Sequence, residues 1–324
     1  MSDNPLPLLK GKEVSIEGIL GKSVSIIGYG NQGKAHALNL RDSGVSIRIG
    51  ARNTTNAKLD GFEAVSIEEA ATSELLIIAL PDEVQPEVYE GSIEPHLQPG
   101  ATLGFIHGFS VHFNYITPPK DIGAVLVAPK GPGITLRNRY LANTGVPALL
   151  AVHTENQTNT ARSIALGWAA GIGSGRVGVL ESSFAHETET DLFGEQSIIV
   201  GGLLALIRAS YETLTNAGYP PELAYIECCH EVKQVADIVH EKGISKMLES
   251  ISNTAEIGAY EAIDILDDTN LRNQLQKILR QVQDGSFAKR LVNKEISSKK
   301  DEFSAHEINR IGAEIRSLML QNDD

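Results

Sequence analysis

Cysteine, basic residues and long apolar runs are scarce in this chain, and each shortage excludes something. Only Cys228 and Cys229 occur among 324 residues. Adjacent residues on a helix point about 100° apart, so a bond between these two would be strained. No disulfide framework is available, and a reduced, cytoplasmic setting is the expectation. Lys and Arg number 28 against 41 Asp and Glu, a formal charge of -13. No basic run offsets the acids, which argues against broad affinity for nucleic acid or an anionic membrane and leaves small molecules as the expected partners. The first ten residues show no basic segment followed by an apolar core. No apolar run approaches the ~20 residues that span a bilayer. The chain reads as neither secreted nor membrane-embedded.

What is present suits a globular protein of two domains, with 42% hydrophobic and 21% charged residues, enough to bury a core in each. From Val24 to about Leu180, short apolar strands alternate with helical stretches: VSIIG (24–28), VSIRIG (45–50), ELLIIAL (74–80), ATLGFIHG (101–108), AVLVAP (124–129) and VPALLAV (146–152). Nearly free of charge, they predict a parallel sheet buried under helices on both faces. Beyond the glycine-rich stretch Gly171 to Gly178, helical periods take over. Candidate helices run over 194–217, 221–242, 255–266, 271–284 and 305–321, punctuated by Gly, Pro or Asn-Asp. The expected fold class is α/β plus all-α: a Rossmann-type domain over 1–183 and a helical domain over 184–324.

Gly28-Tyr29-Gly30-Asn31-Gln32-Gly33 is a G-x-G-x-x-G between an apolar strand and a helical run. Without Cβ atoms the backbone turns tightly and can approach a pyrophosphate, whose charge meets the unpaired N–H groups of the helix N-terminus. Where the next strand ends, an NAD enzyme usually carries an acid for the ribose hydroxyl. Here the text is Ala51-Arg52-Asn53-Thr54-Thr55. The Arg52 fork with Thr54 and Thr55 hydroxyls suits a 2′-phosphate, favouring NADPH over NADH.

Asp191 and Glu195 stand at i and i+4, and Glu227 and Glu231 repeat the spacing inside Glu227-Cys228-Cys229-His230-Glu231. On helices each pair stacks two like charges on one face. Four such acids suit a hard divalent cation such as Mg²⁺. Spacing alone serves a solvated acidic face equally well. The apolar neighbours Ile226 and Cys228 place Glu227 near a buried face, where an unpaired charge is costly.

At these residues the chain resembles the ketol-acid reductoisomerases, in the short-chain class I form. The likeness rests on IIGYGNQGKAHALNLRDSG (26–44), LPDEVQ (80–85), GATLGFIHGF (100–109), APKGPG (128–133), ETETDLFGEQ (187–196), AYIECCHEVK (224–233) and ISNTAEIG (251–258), in one order across both domains. The resemblance implies a knotted helical domain, NADPH and two Mg²⁺. Asp191 would bridge the two ions and Glu195 would complete one site. Glu227 and Glu231 would come from a partner subunit, giving a homodimer or a higher assembly of dimers with shared active sites. Ser252 would bind the substrate carboxylate, and His107 and Lys130 would border the metals. Tyr29, Gly30, Asn31, Gln32, Arg52, Asp82, Glu83, Val84, Gln85 and Gly133 would line the cofactor cleft with Gly28 and Gly33.

The implied substrate is an acetohydroxy acid such as 2-acetolactate. Its alkyl group would migrate from C2 to C3 before hydride reduction to a 2,3-dihydroxy acid, with Glu231 as a proton acceptor. Two departures from the family pattern leave NADH open as reductant: Lys34 stands where His is expected, and the loop after Arg52 is shorter. A structural part for Lys130, supporting the Pro129/Pro132 loop, and for His107, packing beneath the nicotinamide, also stays open. Two rivals remain. A metal-free reductase resembling β-hydroxyacid dehydrogenases would use a Lys and need no carboxylate cluster. A non-catalytic dinucleotide sensor would need no Mg²⁺ ligands.

Overall fold

A computed structural model describes residues 5–296 and 298–320. Gln321, the expected end of the last helix, and residues 1–4 of the N-terminal segment lie outside the described residues. The chain divides into two compact units, Met1–Thr190 with Ala288–Asn293, and Asp191–Phe287 with Lys294–Asp324.

The first unit is built on a nine-stranded sheet: β1 (Leu8–Leu9), β2 (Val24–Ile27), β3 (Ile47–Gly50), β4 (Glu63–Val65), β5 (Leu75–Ile78), β6 (Thr102–Phe105), β7 (Gly123–Pro129), β8 (Ala148–Thr154) and β9 (Val179–Glu181), in the order β1-β9-β8-β7-β6-β5-β2-β3-β4. Pairing is parallel from β4 through β7. Two pairings depart from the all-parallel expectation. β8 runs antiparallel to β7, and β1 antiparallel to β9. The helix Gly133–Leu141 and the loop behind it return the chain to the same end of the sheet, so β8 re-enters head to tail.

Side chains alternate between the two faces, as the two-residue period of a strand requires. Val24, Ile26, Leu75, Ile77, Val125 and Val127 meet the helices Asn31–Asp42 and Ala161–Gly171 on one face. Ile27, Leu76, Ile78, Leu126 and Ala128 pack on the other with Tyr89, Ile93 and Val111. Trp168, fully buried, donates its indole N–H to Nδ1 of His36 at 2.9 Å and lies over Gly104, where a Cβ would approach the ring to 2.8 Å. From β2 the chain steps to β3 on one side and later to β5 on the other. This reversal opens a crevice at the C-terminal ends of β2 and β5, where open sheets bind ligands.

Every described element of the second unit outside its loops is a helix. Its small core joins Tyr211, Ala224, Tyr225 and Ile311. Expected helices appear as Gly201–Asn216, Asn253–Leu266 and Thr269–Gln283. The 221–242 helix is interrupted by a π-wound segment, Ile226–His230, while the 305–321 helix appears as Glu307–Leu320, preceded by a separate short helix, Lys300–Ala305. Another π-wound segment, Glu195–Ile199, joins Phe184–Gly194 to Gly201–Asn216. By length and composition alone, the stretch Phe184–Asn216 is long and apolar enough to cross a membrane. Its charged residues Glu187, Glu189, Asp191, Glu195, Arg208 and Glu212 recur along its length, which is unfavourable in hydrocarbon.

Candidate active site

The three loop glycines serve different ends. Gly28 follows β2 with φ 95°, and a Cβ there would lie 2.7 Å from the carbonyl oxygen of Ala79. At Gly33 a Cβ would lie 2.3 Å from the carbonyl oxygen of Gly28. Both are required by the protein's own packing. Gly30 is not, since its missing Cβ would meet nothing within 4 Å. It opens the N-terminus of Asn31–Asp42 to a ligand, which is the cradle a pyrophosphate needs. Gly133 lets a second helix come close, for a Cβ there would stand 2.2 Å from the carbonyl oxygen of Asn31. Gln32 ties the same two segments, donating Nε2 to the carbonyl of Gly131 at 3.0 Å.

Tyr29 is clamped by Asp60, whose Oδ2 accepts from the phenol at 2.8 Å and pairs with Lys34 Nζ at 2.8 Å. Lys34 first and Tyr29 second hold the Asp60 carboxyl below its usual range. The Lys34 ammonium thus has a local carboxylate.

Arg52 lines a cleft of about 510 Å³ with Ala51, Ser66, Val84 and Val88, and has no ion-pair partner among the described residues. Sequence reasoning missed two of its neighbours. Glu68 and Glu87 line the same cleft, so carboxylates do stand near Arg52 although none follows β3 directly. Glu68 accepts from Ser92 Oγ at 2.7 Å, and that bond leads the causes that keep its carboxyl below the usual range. Thr54 and Thr55 lie beside Arg52 at the start of the helix Thr55–Leu59, where Asn53 Oδ1 accepts from Thr55 N. In the loop after β5, Asp82, Glu83 and Val84 are half-buried. Gln85 is buried and fully engaged: it donates to the Leu80 carbonyl and to Asp82, and accepts from Ser110. Its side chain fixes the shape of this loop.

The residue around which the rest of the site is built is Glu187. Ser183 caps the helix Phe184–Gly194 by accepting from His186 N at 3.1 Å, and the first turn brings Glu187 under the ends of β6 and β7. There its side chain is 1% exposed and three donors reach it: His107 Nδ1 at 3.0 Å, Gly108 N at 2.9 Å and Lys130 Nζ at 2.8 Å. Burial pushes the carboxyl up, but hydrogen bonding from His107 and the nearby charges of His107 and Lys130 together outweigh it and hold the group at about 2. Because the other donors mark this carboxylate as an acceptor, His107 donates to it through Nδ1.

A folded value of about 2 against an ordinary 4.5 means that folding favours the ionised form. The resulting stabilisation, on the order of 3 kcal/mol, is complete above about pH 4.5 and is lost as pH falls toward 2. Denaturant unfolding from pH 7 to pH 3 should therefore show wild type losing stability faster than Glu187→Gln. Parallel curves would contradict this picture of the carboxylate.

Asp191 follows Glu187 by one turn of the same helix, and their carboxylate oxygens lie within 4.8 Å. Glu195 comes one turn later, at the start of the π-wound segment. Glu227 and Glu231 are exposed, not near a buried face as the apolar neighbours suggested. Their spacing survives because the π-wound segment runs directly into Val232–Lys242. Ser252 caps Asn253–Leu266, its Oγ accepting from Ala255 N at 3.2 Å. That bond leaves the hydroxyl proton to donate to an anion.

Residues 18–178 match the family model for the acetohydroxy acid isomeroreductase NADPH-binding domain, and residues 184–321 match that for the ketol-acid reductoisomerase C-terminal domain. The chain belongs to the ketol-acid reductoisomerase family. It is 50% identical over 289 residues to a ketol-acid reductoisomerase (NADP(+)) of Helicobacter pylori strain Shi470, covering 88% of this chain and 87% of that one. The counterpart of strain HPAG1 is 49% identical over the same length. Among solved structures, an NADH-preferring ketol-acid reductoisomerase from an uncultured archean superposes with a TM-score of 0.93 at 39% identity, covering 97% of this chain and 99% of that one. A semialdehyde dehydrogenase NAD-binding protein from Cupriavidus necator, at 16% identity and a TM-score of 0.63 over 82% of this chain and 99% of its own, shares the fold alone.

Proposed function

We propose that this reductoisomerase converts a 2-hydroxy-2-alkyl-3-oxo acid such as 2-acetolactate into the 2,3-dihydroxy-3-alkyl acid. The alkyl group shifts from C2 to C3, and NADPH then reduces the new ketone. The observation that carries this reading is the buried, ionised Glu187 holding His107 and Lys130 at the C-terminal ends of the parallel strands, the same end of the sheet that bears the glycine loop. A dinucleotide sensor has no need of such a network. Nor does a metal-free reductase need the acids that continue along the same helix.

The donor set fits Mg²⁺, which prefers carboxylate and water oxygens. Asp191 and Glu195 would hold two ions together with Glu227 and Glu231. When bound, the metal supplies Lewis acidity to the substrate's oxygens and NADPH supplies the hydride. The chain's own residues position the reactants. Lys130 and His107, fixed by Glu187, present a cation and an oriented imidazole at the ends of β7 and β6. Ser252 binds the substrate carboxylate, and Glu231 accepts the hydroxyl proton.

The exposure of Glu227 and Glu231 supports a site completed by a second copy. So does the apolar surface of the helical unit, where Ile198, Ile199, Leu206, Ile257, Ile263 and Ile265 are all more than half exposed. A homodimer, or an assembly of dimers, in the cytoplasm follows from this reading.

NADPH should be consumed when 2-acetolactate is added, with 2,3-dihydroxy-3-methylbutanoate as product; a stable NADPH signal would overturn the proposal. Arg52→Ala should lower kcat/KM for NADPH roughly tenfold or more, the scale of one charge-assisted phosphate contact, and leave that for NADH within about twofold. Equal losses would place Arg52 away from the phosphate. The solved relative described as NADH-preferring, and Glu68 and Glu87 beside Arg52, support a chain that also accepts NADH.

A further inference from the structure

The helical unit contains a cleft of about 560 Å³ that the proposed reaction does not use. Its walls are Leu204, Ile207, Tyr225, Cys229, Phe303 and Ile308, from the helices Gly201–Asn216, Pro221–Tyr225 and Glu307–Leu320 and the segments adjoining them. In a chain of net charge -13, the lining includes Arg208, Lys300, His306 and Arg316 and not one carboxylate. Two of these side chains are satisfied: Arg208 pairs with Glu302 at 2.8 Å, and the His306 imidazole lies 3.0 Å from Glu212. The other two are not. Lys300 has no ion-pair partner among the described residues, and Arg316 donates to the neutral hydroxyl of Tyr225 at 2.9 Å. An apolar floor with two uncompensated cations above it calls for an anion on an apolar body.

The wall has a consequence of its own. Tyr225 and Cys229 flank and enter the π-wound segment Ile226–His230, a winding frequent at functional sites. Glu227 lies two residues from each and outside the lining, so the cleft backs onto the helix that presents Glu227 and Glu231. We infer that the cleft is a regulatory site for a small organic carboxylate with an apolar body, and that its occupancy shifts those two glutamates. The second half rests on the proposed role of Glu227 and Glu231 as metal ligands; the first does not.

The test uses the full-length protein carrying Cys228→Ser, so that maleimide alkylation reports Cys229 alone, with 4-phenylbutanoate as probe and 4-phenylbutanamide as its neutral control. The carboxylate is expected to slow alkylation at least fivefold and the amide not at all. Lys300→Gln with Arg316→Gln should abolish the protection. Lys300→Gln alone, at an exposed position that leaves the fold intact, should weaken it. In the same samples, Mn²⁺ binding followed by electron paramagnetic resonance should shift at least threefold in affinity when the probe is present.

Mn²⁺ binding without the probe tests the metal site by itself, so a failure there is separable from a failure at the cleft. Equal protection by acid and amide, or none by either, overturns the site. Protection without a shift in Mn²⁺ affinity overturns its regulatory character. A Cys229 that reacts only after the assembly is dissociated would show a second copy covering the cleft, and would also overturn the proposal.

Discussion

Asp191→Asn is expected to lower kcat for 2-acetolactate about a thousandfold or more while leaving the NADPH dissociation constant within about threefold. The substitution removes one negative charge and little volume. Asn is no worse a helix residue than Asp, so the helix Phe184–Gly194 should stay in place, anchored as it is by Ser183 and by the buried Glu187. What changes is the chemistry of the donor. A neutral amide oxygen would replace a carboxylate at a position proposed to hold Mg²⁺, and the loss would appear where charge develops in the transition state. A thousandfold corresponds to about 4 kcal/mol at 1.36 kcal/mol per tenfold, a magnitude within reach of one carboxylate metal ligand. The cofactor loop does not involve Asp191. NADPH fluorescence titration and steady-state kinetics on the same preparation separate the two effects. Near-normal turnover in the variant would remove Asp191 from the reaction.

Lys130→Met should lower both activity and stability, through one cause. Lys130 Nζ is 2.8 Å from a carboxylate that is 1% exposed. Deleting the cation leaves Glu187 with His107 and Gly108 N–H as its remaining donors. Breaking a buried pair in this way costs about 3–5 kcal/mol when the surviving charge is uncompensated, and the two remaining donors bring the expectation to about 2–3 kcal/mol. The Glu187 carboxyl should then rise from about 2 toward its usual range, so the loss of stability on acidification below about pH 4.5 should be smaller than in wild type. Activity should fall about a hundredfold, the upper end for residues that orient a metal site through another ligand. Adding Glu187→Gln to Lys130→Met removes the stranded charge and should recover most of the lost stability but none of the lost turnover. Recovery of both would make the pair a scaffold without a part in the reaction. Recovery of neither would show that Lys130 supports the Pro129/Pro132 loop by packing alone.

The parts of the molecule legible in the sequence are those whose signal is local. The glycine loop is one, since strand, G-x-G-x-x-G and helix follow within twenty residues and the structure places them so. Strand positions were legible for the same reason, but strand direction was not. VPALLAV alternates as any strand does, and only the path of the chain through Gly133–Leu141 makes β8 antiparallel. The π-wound segments have no sequence mark that separates them from α-helix, so two expected helices proved discontinuous. The return of Ala288–Asn293 to the first unit is likewise a tertiary fact that no linear reading supplies.

Within the site, the sequence carries no mark that sets Glu187 apart from its acidic neighbours. Four acids crowd ETETDLFGEQ, and the i,i+4 rule drew attention to Asp191 and Glu195. The same rule links Glu187 to Asp191, and that signal could have found it. Its burial could not be read, because the three donors that make an ionised carboxylate tolerable come from residues 57 to 80 positions away in the chain. Glu227 shows the opposite error. Apolar neighbours suggested a buried face, yet the side chain is exposed.

Carboxylates of this chain are proposed to hold divalent metal for an isomerisation coupled to reduction. The most direct test follows NADPH oxidation on 2-acetolactate after exhaustive chelation and then on returning Mg²⁺. Turnover should vanish on chelation and recover fully with Mg²⁺, while NADPH binding persists throughout. Undiminished conversion of 2-acetolactate by the metal-free enzyme would contradict the account.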